Sequence, residues 1–193
     1  MITMLKKKVL LLILTAVLLL GTMPSAIQAA DPVCQIGSTT YATLGEALNA
    51  VGPGQTQTIK LLSNINYNSG ISISSKIITF DLNGFTLNVT NTAGTGLNLS
   101  NGNVYLIGQG SLNVTGTNYG VYVSGGSATV TSARATGNDG KGAYAIGFGS
   151  KITVSGNATG IDSGVYADNG GVITVGGGGR LAVPRLYRGK NIR

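Results

Sequence analysis

A short motif recurs through the middle of the chain at intervals of 22 to 26 residues. Each copy begins with glycine and then alternates, as in Gly120-Val-Tyr-Val, and the copies start at positions 70, 96, 120, 142 and 164. A second motif, an apolar residue followed by Thr-Val, recurs between the later copies at residues 128–130, 152–154 and 173–175. Two motifs that repeat in step, each alternating as a strand does, predict the stacked coils of a β-solenoid rather than an array of helices.

Alternation within each copy predicts which side chains face the interior of the coil. Val121 and Val123 lie on one side of their strand, and Tyr122 lies on the other. Because the small apolar residues must fill a narrow interior, we expect Tyr122, Tyr144 and Tyr166 to point outward on three successive coils. Sharp corners between strands often need positive φ angles, which glycine adopts without strain. The glycines expected at corners are Gly125, Gly126, Gly147, Gly149, Gly170 and Gly171.

A short helix is predicted just before the repeats. Residues 39–41 favour an edge strand, and Thr43 and Glu46 then have the spacing of a capping box, in which each side chain bonds a free backbone amide. Residues 52–54 end the helix. Its apolar stripe consists of Leu44, Ala47, Leu48 and Val51. Because an open solenoid end exposes apolar side chains and unpaired amides, we expect this helix to cap the first coil.

The start of the chain has the pattern of a secretory signal peptide. Lysines at positions 6–8 precede an apolar run, and small residues follow it. The apolar run is shorter than the roughly 20 residues of a membrane-spanning helix. The chain therefore divides into a signal peptide (1–30), a strand and capping helix (31–54), β-helix repeats (55–176) and a basic non-repeat tail (177–193). This division predicts a secreted or cell-surface protein.

Cys34 is the only cysteine of the chain, so no internal disulfide can form. Two interpretations of this thiol remain open. It is either an unreactive group near the start of the mature chain, or a group that pairs with another chain or with a cysteine in a part of the protein outside this sequence.

The formal net charge of +7 is unevenly distributed. Without the signal peptide the chain keeps ten basic and six acidic residues, and five of the basic residues lie in the last fourteen positions. The repeats themselves are nearly neutral. Because nucleic-acid binding requires a basic face on the folded body, we predict no nucleic-acid partner, and we expect no membrane contact after signal cleavage.

The sequence offers no set of residues for catalysis. The chain has no histidine, which excludes histidine-based triads and histidine metal sites. Glu46 belongs to the helix cap, and Asp81 and Asp139 lie near turn glycines. Asp162 and Asp168 stand at opposite ends of one predicted strand, which separates them by more than the roughly 5 to 10 Å of a glycosidase carboxylate pair. We therefore predict no catalytic residue, no cofactor and no metal.

One column of side chains is a candidate for binding. Tyr122, Tyr144 and Tyr166 occupy the same position on successive coils, which lie about 4.8 Å apart in a β-sheet. Sugar rings dock on aromatic faces, so an outward row of tyrosines could follow an extended glycan. The alternative interpretation is that the rings only stabilise neighbouring strands, as cross-strand aromatic pairs do by roughly 0.2 to 1 kcal/mol each.

The motifs that open the repeats resemble a known group of proteins. Residues 40–48, 58–62 and 77–87, the last of which contains Asp81-Leu-Asn-Gly-Phe-Thr-Leu, are similar to the start of pectate-lyase-like β-helix modules of secreted and cell-surface bacterial proteins, many of them Gram-positive. The resemblance implies an all-β fold, a single-stranded right-handed parallel β-helix with a short N-terminal helical cap. Residues 177–193 do not continue the repeat of these modules. They are either a terminal extension or a sign that the chain is a truncated or altered remnant of a longer surface protein.

These observations lead to two hypotheses of function. The first is a non-catalytic scaffold or adhesin-like module that contacts a polysaccharide or cell-wall glycan through its tyrosines. The alternative is a fragment or inactive relative of a β-helix polysaccharide lyase or glycosidase. In either case an uncapped last coil would leave a strand edge through which the chain could self-associate.

Overall fold

The structure, a computed structural model, describes residues 30–177. Apart from Ala30, the predicted signal peptide lies outside the described residues, as does the basic tail after residue 177. Within the described range, no helix has both the length and the apolar character needed to cross a membrane.

Short strands and one helix make up the described chain. In chain order the elements are β1 (Cys34–Ile36), β2 (Thr39–Tyr41), α1 (Leu44–Ala50), β3 (Thr56–Leu61), β4 (Ile65–Tyr67), β5 (Ile71–Ser74), β6 (Ile77–Asp81), β7 (Thr86–Asn91), β8 (Leu97–Ile107), β9 (Ser111–Gly116), β10 (Tyr119–Val130), β11 (Ser132–Ala135), β12 (Lys141–Val154), β13 (Ala158–Thr159), β14 (Ser163–Asp168) and β15 (Val172–Val175). The pairings β1–β2 and β1–β3 are antiparallel, and the pairings that join β3 to β15 are parallel.

The parallel strands form about five coils, each with three strand positions. The long strands β8, β10 and β12 each turn a corner and therefore contribute to two faces. The first face consists of β3, β6, β15 and the later parts of these three strands, and the third face consists of β5, β14 and their earlier parts. The second face consists of β4, β7, β9, β11 and β13. In each parallel pairing, a residue lies beside the residue that is about one repeat later in the sequence, as Ile59 lies beside Phe80. Equivalent positions therefore form columns, and the predicted parallel β-solenoid is confirmed.

Columns of apolar side chains fill the interior of the coils. On the third face Leu97, Val121 and Ala143 are paired in one column, and Leu99, Val123 and Ala145 are paired in another. All six are buried, with at most 1% of their surface exposed. The interior predicted from alternation is thus confirmed for these coils, and burial of this apolar surface is the main driving force for stacking them.

The last described coil is less covered than the others. Ala145 is fully buried, but Ala167, its partner in β14, is exposed. Val165 is only partly buried, and Val172 exposes 53% of its surface. Among the described residues, β14 and β15 each have a strand partner on one side only, so nothing covers their outer edge there. Ala167 continues the column of Val123 and Ala145, but no described strand covers it, and self-association through this end stays a prediction.

The corners between the third and first faces are built from glycine. Positive φ angles occur at Gly125, Gly126, Gly147, Gly149 and Gly170, as predicted, but not at Gly171. Gly126 also approaches the preceding coil closely, because a Cβ atom there would collide with the carbonyl oxygen of Gly102. The close spacing of the coils therefore requires glycine at this position.

Helix α1 forms as its capping box predicts. The Thr43 hydroxyl accepts from the Glu46 amide at 3.2 Å, and the Glu46 carboxylate accepts from the Thr43 amide at 3.1 Å. Its buried face packs against β1 and β2 and belongs to the same apolar core as the first coil. At the other end of the helix, Lys76 Nζ donates to the carbonyl oxygens of Leu48 at 3.0 Å and Val51 at 2.7 Å. Lys76, which immediately precedes β6, thus ties the C-terminal end of this helix to the coil.

Cys34 is part of the core. It is fully buried in β1, and burial, with a smaller contribution from the charge of Glu46, raises the pKa of its thiol to about 11. Because the thiolate is the reactive form, these facts favour the interpretation of Cys34 as an unreactive group.

Candidate functional site

The predicted tyrosine column exists on the third face. Tyr122 pairs with Tyr144, and Tyr144 pairs with Tyr166, on three consecutive coils. The ring centroids are 5.3 Å apart in the first pair and 5.0 Å apart in the second. All three side chains are half-buried and lie on the side of the strand opposite to the apolar interior. The column is therefore an outward ladder of rings.

The rings of this ladder meet edge to face. The planes of Tyr122 and Tyr144 are inclined by 77°, and those of Tyr144 and Tyr166 by 78°. This geometry brings the positive edge of one ring to the negative face of the next, which is a favourable arrangement for aromatic pairs. The ladder therefore stabilises adjacent coils, and its outer surface is corrugated rather than a flat stack.

A fourth ring joins the ladder. The centroid of Tyr119 is 5.4 Å from that of Tyr122 and 5.4 Å from that of Tyr144. Sequence reasoning missed Tyr119 because its column continues with Lys141 and Ser163 and so has no repeated aromatic residue. We call Tyr119, Tyr122, Tyr144 and Tyr166 the tyrosine patch.

Lys141 links the patch to an acidic residue. Its Nζ lies 5.3 Å from the ring centroid of Tyr166, which is within the range of a cation–π contact. The same atom is 3.0 Å from Oδ2 of Asp162 in a half-exposed ion pair. Asp162, which sequence analysis left without a role, therefore fixes the position of the lysine beside the patch.

The environment of the patch shifts its central phenol further toward the protonated form. The pKa of Tyr144 is raised, first by burial, then by the negative charge of Asp168 and by the neighbouring tyrosines. Its hydroxyl group can therefore donate a hydrogen bond throughout the neutral range.

A cleft of about 320 Å³ adjoins the patch at Tyr119. It lies between the turns of two successive coils and is lined by Thr117, Asn118, Tyr119, Gly137, Asn138, Asp139 and Gly140. Backbone bonds hold these turns together: Gly137 N donates to Thr117 O at 2.9 Å, and Lys141 N donates to Asn118 O at 3.0 Å. The exposed side chains of Asn118, Asn138 and Asp139 make no hydrogen bond to the part of the protein that the structure describes, and they are thus free to bond a ligand.

Other outward amides are already engaged. On the second face, Asn88 Nδ2 donates to Asn66 Oδ1 at 2.9 Å, and Asn113 Nδ2 donates to Asn88 Oδ1 at 3.1 Å. Ser132 Oγ then donates to Asn113 Oδ1 at 2.8 Å. These hydrogen bonds already use part of the bonding capacity of this row of side chains.

Phe148 follows Tyr144 by four residues and lies at the next corner of the coil. The corner of β12 is longer than that of β10, because Ser124 pairs with Ile146 but Gly126 pairs with Ser150. Phe148 lies in this insertion and exposes 92% of its surface. Ser150, which is buried, holds the corner by accepting from Gly125 N at 2.7 Å. The fold therefore presents a further aromatic ring to solvent.

Two further acidic residues, Asp81 and Glu46, have structural roles. Oδ1 of Asp81 accepts from Asn83 N at 3.1 Å, as expected for a residue that supports the turn. Glu46 caps α1. Over residues 30–177, no group of three or more His, Cys, Asp or Glu side chains is placed to hold a metal ion.

Comparison with protein-family models, with curated proteins and with solved structures found no match for this chain. The resemblance to pectate-lyase-like modules therefore stays a prediction. What the coordinates establish is the coarser statement, a parallel β-solenoid of about five coils.

Proposed function

We propose that this protein is a non-catalytic, exported β-solenoid scaffold whose tyrosine patch binds a glycan chain of a cell wall or another polysaccharide. The observation that supports the proposal is the cluster of four outward rings, in which each centroid is 5.0 to 5.4 Å from a neighbour. A pyranose ring presents a face of C–H groups, and such faces pack against aromatic side chains. Consecutive sugars of an extended chain advance by about one ring length, so successive coils can contact successive sugars.

The rigidity of the patch favours binding. Each tyrosine ring packs against a neighbouring ring. The strands β10 and β12, which carry three of the four tyrosines, are paired on both sides, and β14, which carries Tyr166, is paired with β12. A side chain that is already ordered loses little conformational entropy when a ligand arrives, whereas ordering a free side chain costs about 0.5–1.5 kcal/mol. The neighbouring cleft adds the polar component, because the amides of Asn118 and Asn138 can both donate to and accept from sugar hydroxyl groups.

The lyase or glycosidase alternative has weaker support. It rests on the solenoid fold, and a fold hosts many unrelated activities. No arrangement of described residues favours it.

Replacing the ladder tests the proposal. We expect the full chain to bind an insoluble or arrayed glycan, and the triple variant Tyr122→Leu, Tyr144→Leu, Tyr166→Leu to bind at least tenfold more weakly, which corresponds to about 1.4 kcal/mol. Tyr105→Leu is the matched control, because Tyr105 is 41% exposed on the first face, outside the patch. A circular dichroism spectrum of each variant checks that it is folded.

Two results would contradict the proposal. Unchanged binding by the folded triple variant would leave the ladder with only its stabilising role. Absence of binding by the unmodified chain to every glycan on a broad array would remove glycan recognition altogether. The export component has its own test, since recovery of the uncleaved chain from the cytoplasm of the producing cell would refute it.

A further inference from the structure

Carboxylates lie on both sides of the tyrosine patch. Asp168 follows Tyr166 by two residues on the outward side of β14, and its charge acts on Tyr144. On the opposite side, Asp139 lines the cleft beside Tyr119. A ligand that lies across the rings therefore approaches at least one carboxylate at each end.

Only part of this negative charge is compensated. The ammonium group of Lys141 is paired with Asp162 at 3.0 Å, and neither Asp139 nor Asp168 has an ion-pair partner within residues 30–177. Of the nearest basic residues in sequence, Lys151 lies on the first face beyond the glycine corner, and Arg134 lies on the second face. Counted over residues 30–177, the surroundings of the patch thus hold three carboxylates against one ammonium group.

We propose that the tyrosine patch and its cleft select glycans without acidic groups, and that Asp139 and Asp168 exclude anionic polysaccharides. This inference rests on the function proposed above and deepens it. The polar groups on offer fit an uncharged sugar, because the amides of Asn118 and Asn138 and the phenol of Tyr144 can bond hydroxyl or acetamido groups. None of these groups carries the positive charge that would balance a uronate or a phosphate.

The expected size of the discrimination follows from Coulomb's law. For a ligand carboxylate about 7 Å from a protein carboxylate in water, the repulsion weakens binding about threefold. Two such carboxylates together give roughly a five- to tenfold preference for the neutral ligand at low ionic strength. In 1 M salt, where the screening length is about 3 Å, the preference should nearly vanish.

The experiment compares three oligosaccharides of equal length, made of glucose, N-acetylglucosamine or galacturonate, without divalent cations. The full chain is titrated with each of them at low salt and again in 1 M salt. We expect at least one neutral oligosaccharide to bind, and galacturonate to bind at least fivefold more weakly at low salt but not at high salt.

Charge-neutral variants then identify the residues responsible. Asp139→Asn and Asp168→Asn should each reduce the ratio of neutral to galacturonate affinity, measured within the same variant, by about threefold. Asp31→Asn is the matched control, because it changes the net charge equally at an exposed position before β1. It should leave all three affinities unchanged.

The outcomes separate this inference from the proposed function. Galacturonate binding as tightly as the neutral ligands at low salt, or a preference that Asp139→Asn and Asp168→Asn do not reduce, overturns the inference and leaves glycan binding in place. Failure of all three oligosaccharides to bind overturns the inference together with the function on which it rests.

Discussion

The close stacking of the coils at the glycine corners can be measured with two alanine substitutions. Gly126 and Gly149 have similar φ angles, +92° and +82°. They differ in their surroundings: a Cβ at Gly126 would collide with the carbonyl oxygen of Gly102, whereas a Cβ at Gly149 would have no heavy atom within 4 Å. The two variants therefore share the conformational cost of alanine at positive φ and differ in the contact with the preceding coil.

The magnitudes follow from this difference. Alanine at such a φ costs about 1–2 kcal/mol, so we expect Gly149→Ala to lower the free energy of unfolding by about that amount. At Gly126 the clash is with backbone, which cannot rotate away, and overpacking adds about 1–3 kcal/mol or more. Gly126→Ala should thus cost about 2–5 kcal/mol in total. The effect of alanine on the unfolded chain is common to both variants and cancels in the comparison.

Urea unfolding, followed by circular dichroism and by tyrosine fluorescence, is the appropriate assay. Coincident transitions from the two probes justify a two-state treatment, and thermal unfolding should place the Gly126→Ala midpoint about 4–8 °C below that of Gly149→Ala. If Gly126→Ala does not fold and Gly149→Ala does, the result agrees with the expected larger loss of stability at Gly126. Equal losses in the two variants would refute the packing of Gly126 against Gly102 and the coil register derived from it.

Three further predictions concern the N-terminal part of the fold. Lys76→Met removes the hydrogen bonds to the carbonyl oxygens of Leu48 and Val51 and should lower the free energy of unfolding by about 1–3 kcal/mol; a loss below about 0.5 kcal/mol in urea unfolding would contradict this role. Because the pKa of Cys34 is raised to about 11, iodoacetamide at pH 8 should alkylate the folded protein about a hundredfold more slowly than the urea-unfolded chain. The folded state also keeps this proton to higher pH than the unfolded state, so the Cys34 contribution to stability is present below pH 9 and is lost as the pH rises from about 9 to 11. The unmodified chain should therefore lose more stability over this range than Cys34→Ala, and an equal loss in the two chains would argue against it.

Periodic features of the fold could be predicted from the sequence because parallel stacking places equivalent residues of each repeat above one another. The ladder of Tyr122, Tyr144 and Tyr166 and the buried column that contains Val121 follow directly from the 22-residue spacing of the later repeats. The capping box of α1 was predictable for a different reason, since Thr43 and Glu46 interact across three residues of one helical turn.

Features that do not repeat depended on the tertiary structure. Tyr119 joins the patch from a column that its neighbours fill with Lys141 and Ser163, so no periodic signal marks it. Lys76 reaches the end of α1 from 28 residues further along the chain. Ala167 is exposed because no described strand covers the last coil. Alternation within a strand does not show whether a further coil covers it.

The amino-acid sequence by itself therefore determined the solenoid, the outward column of three tyrosines and the helix before the first coil, because each of these depends on local patterns or on a fixed period. Only the tertiary structure decided that the rings meet edge to face, that a fourth ring and a cleft adjoin them, and that Asp139 and Asp168 flank the patch. The reason is physical: these arrangements depend on how turns of different length pack on neighbouring coils, and turn packing is a property of the folded chain rather than of any one repeat.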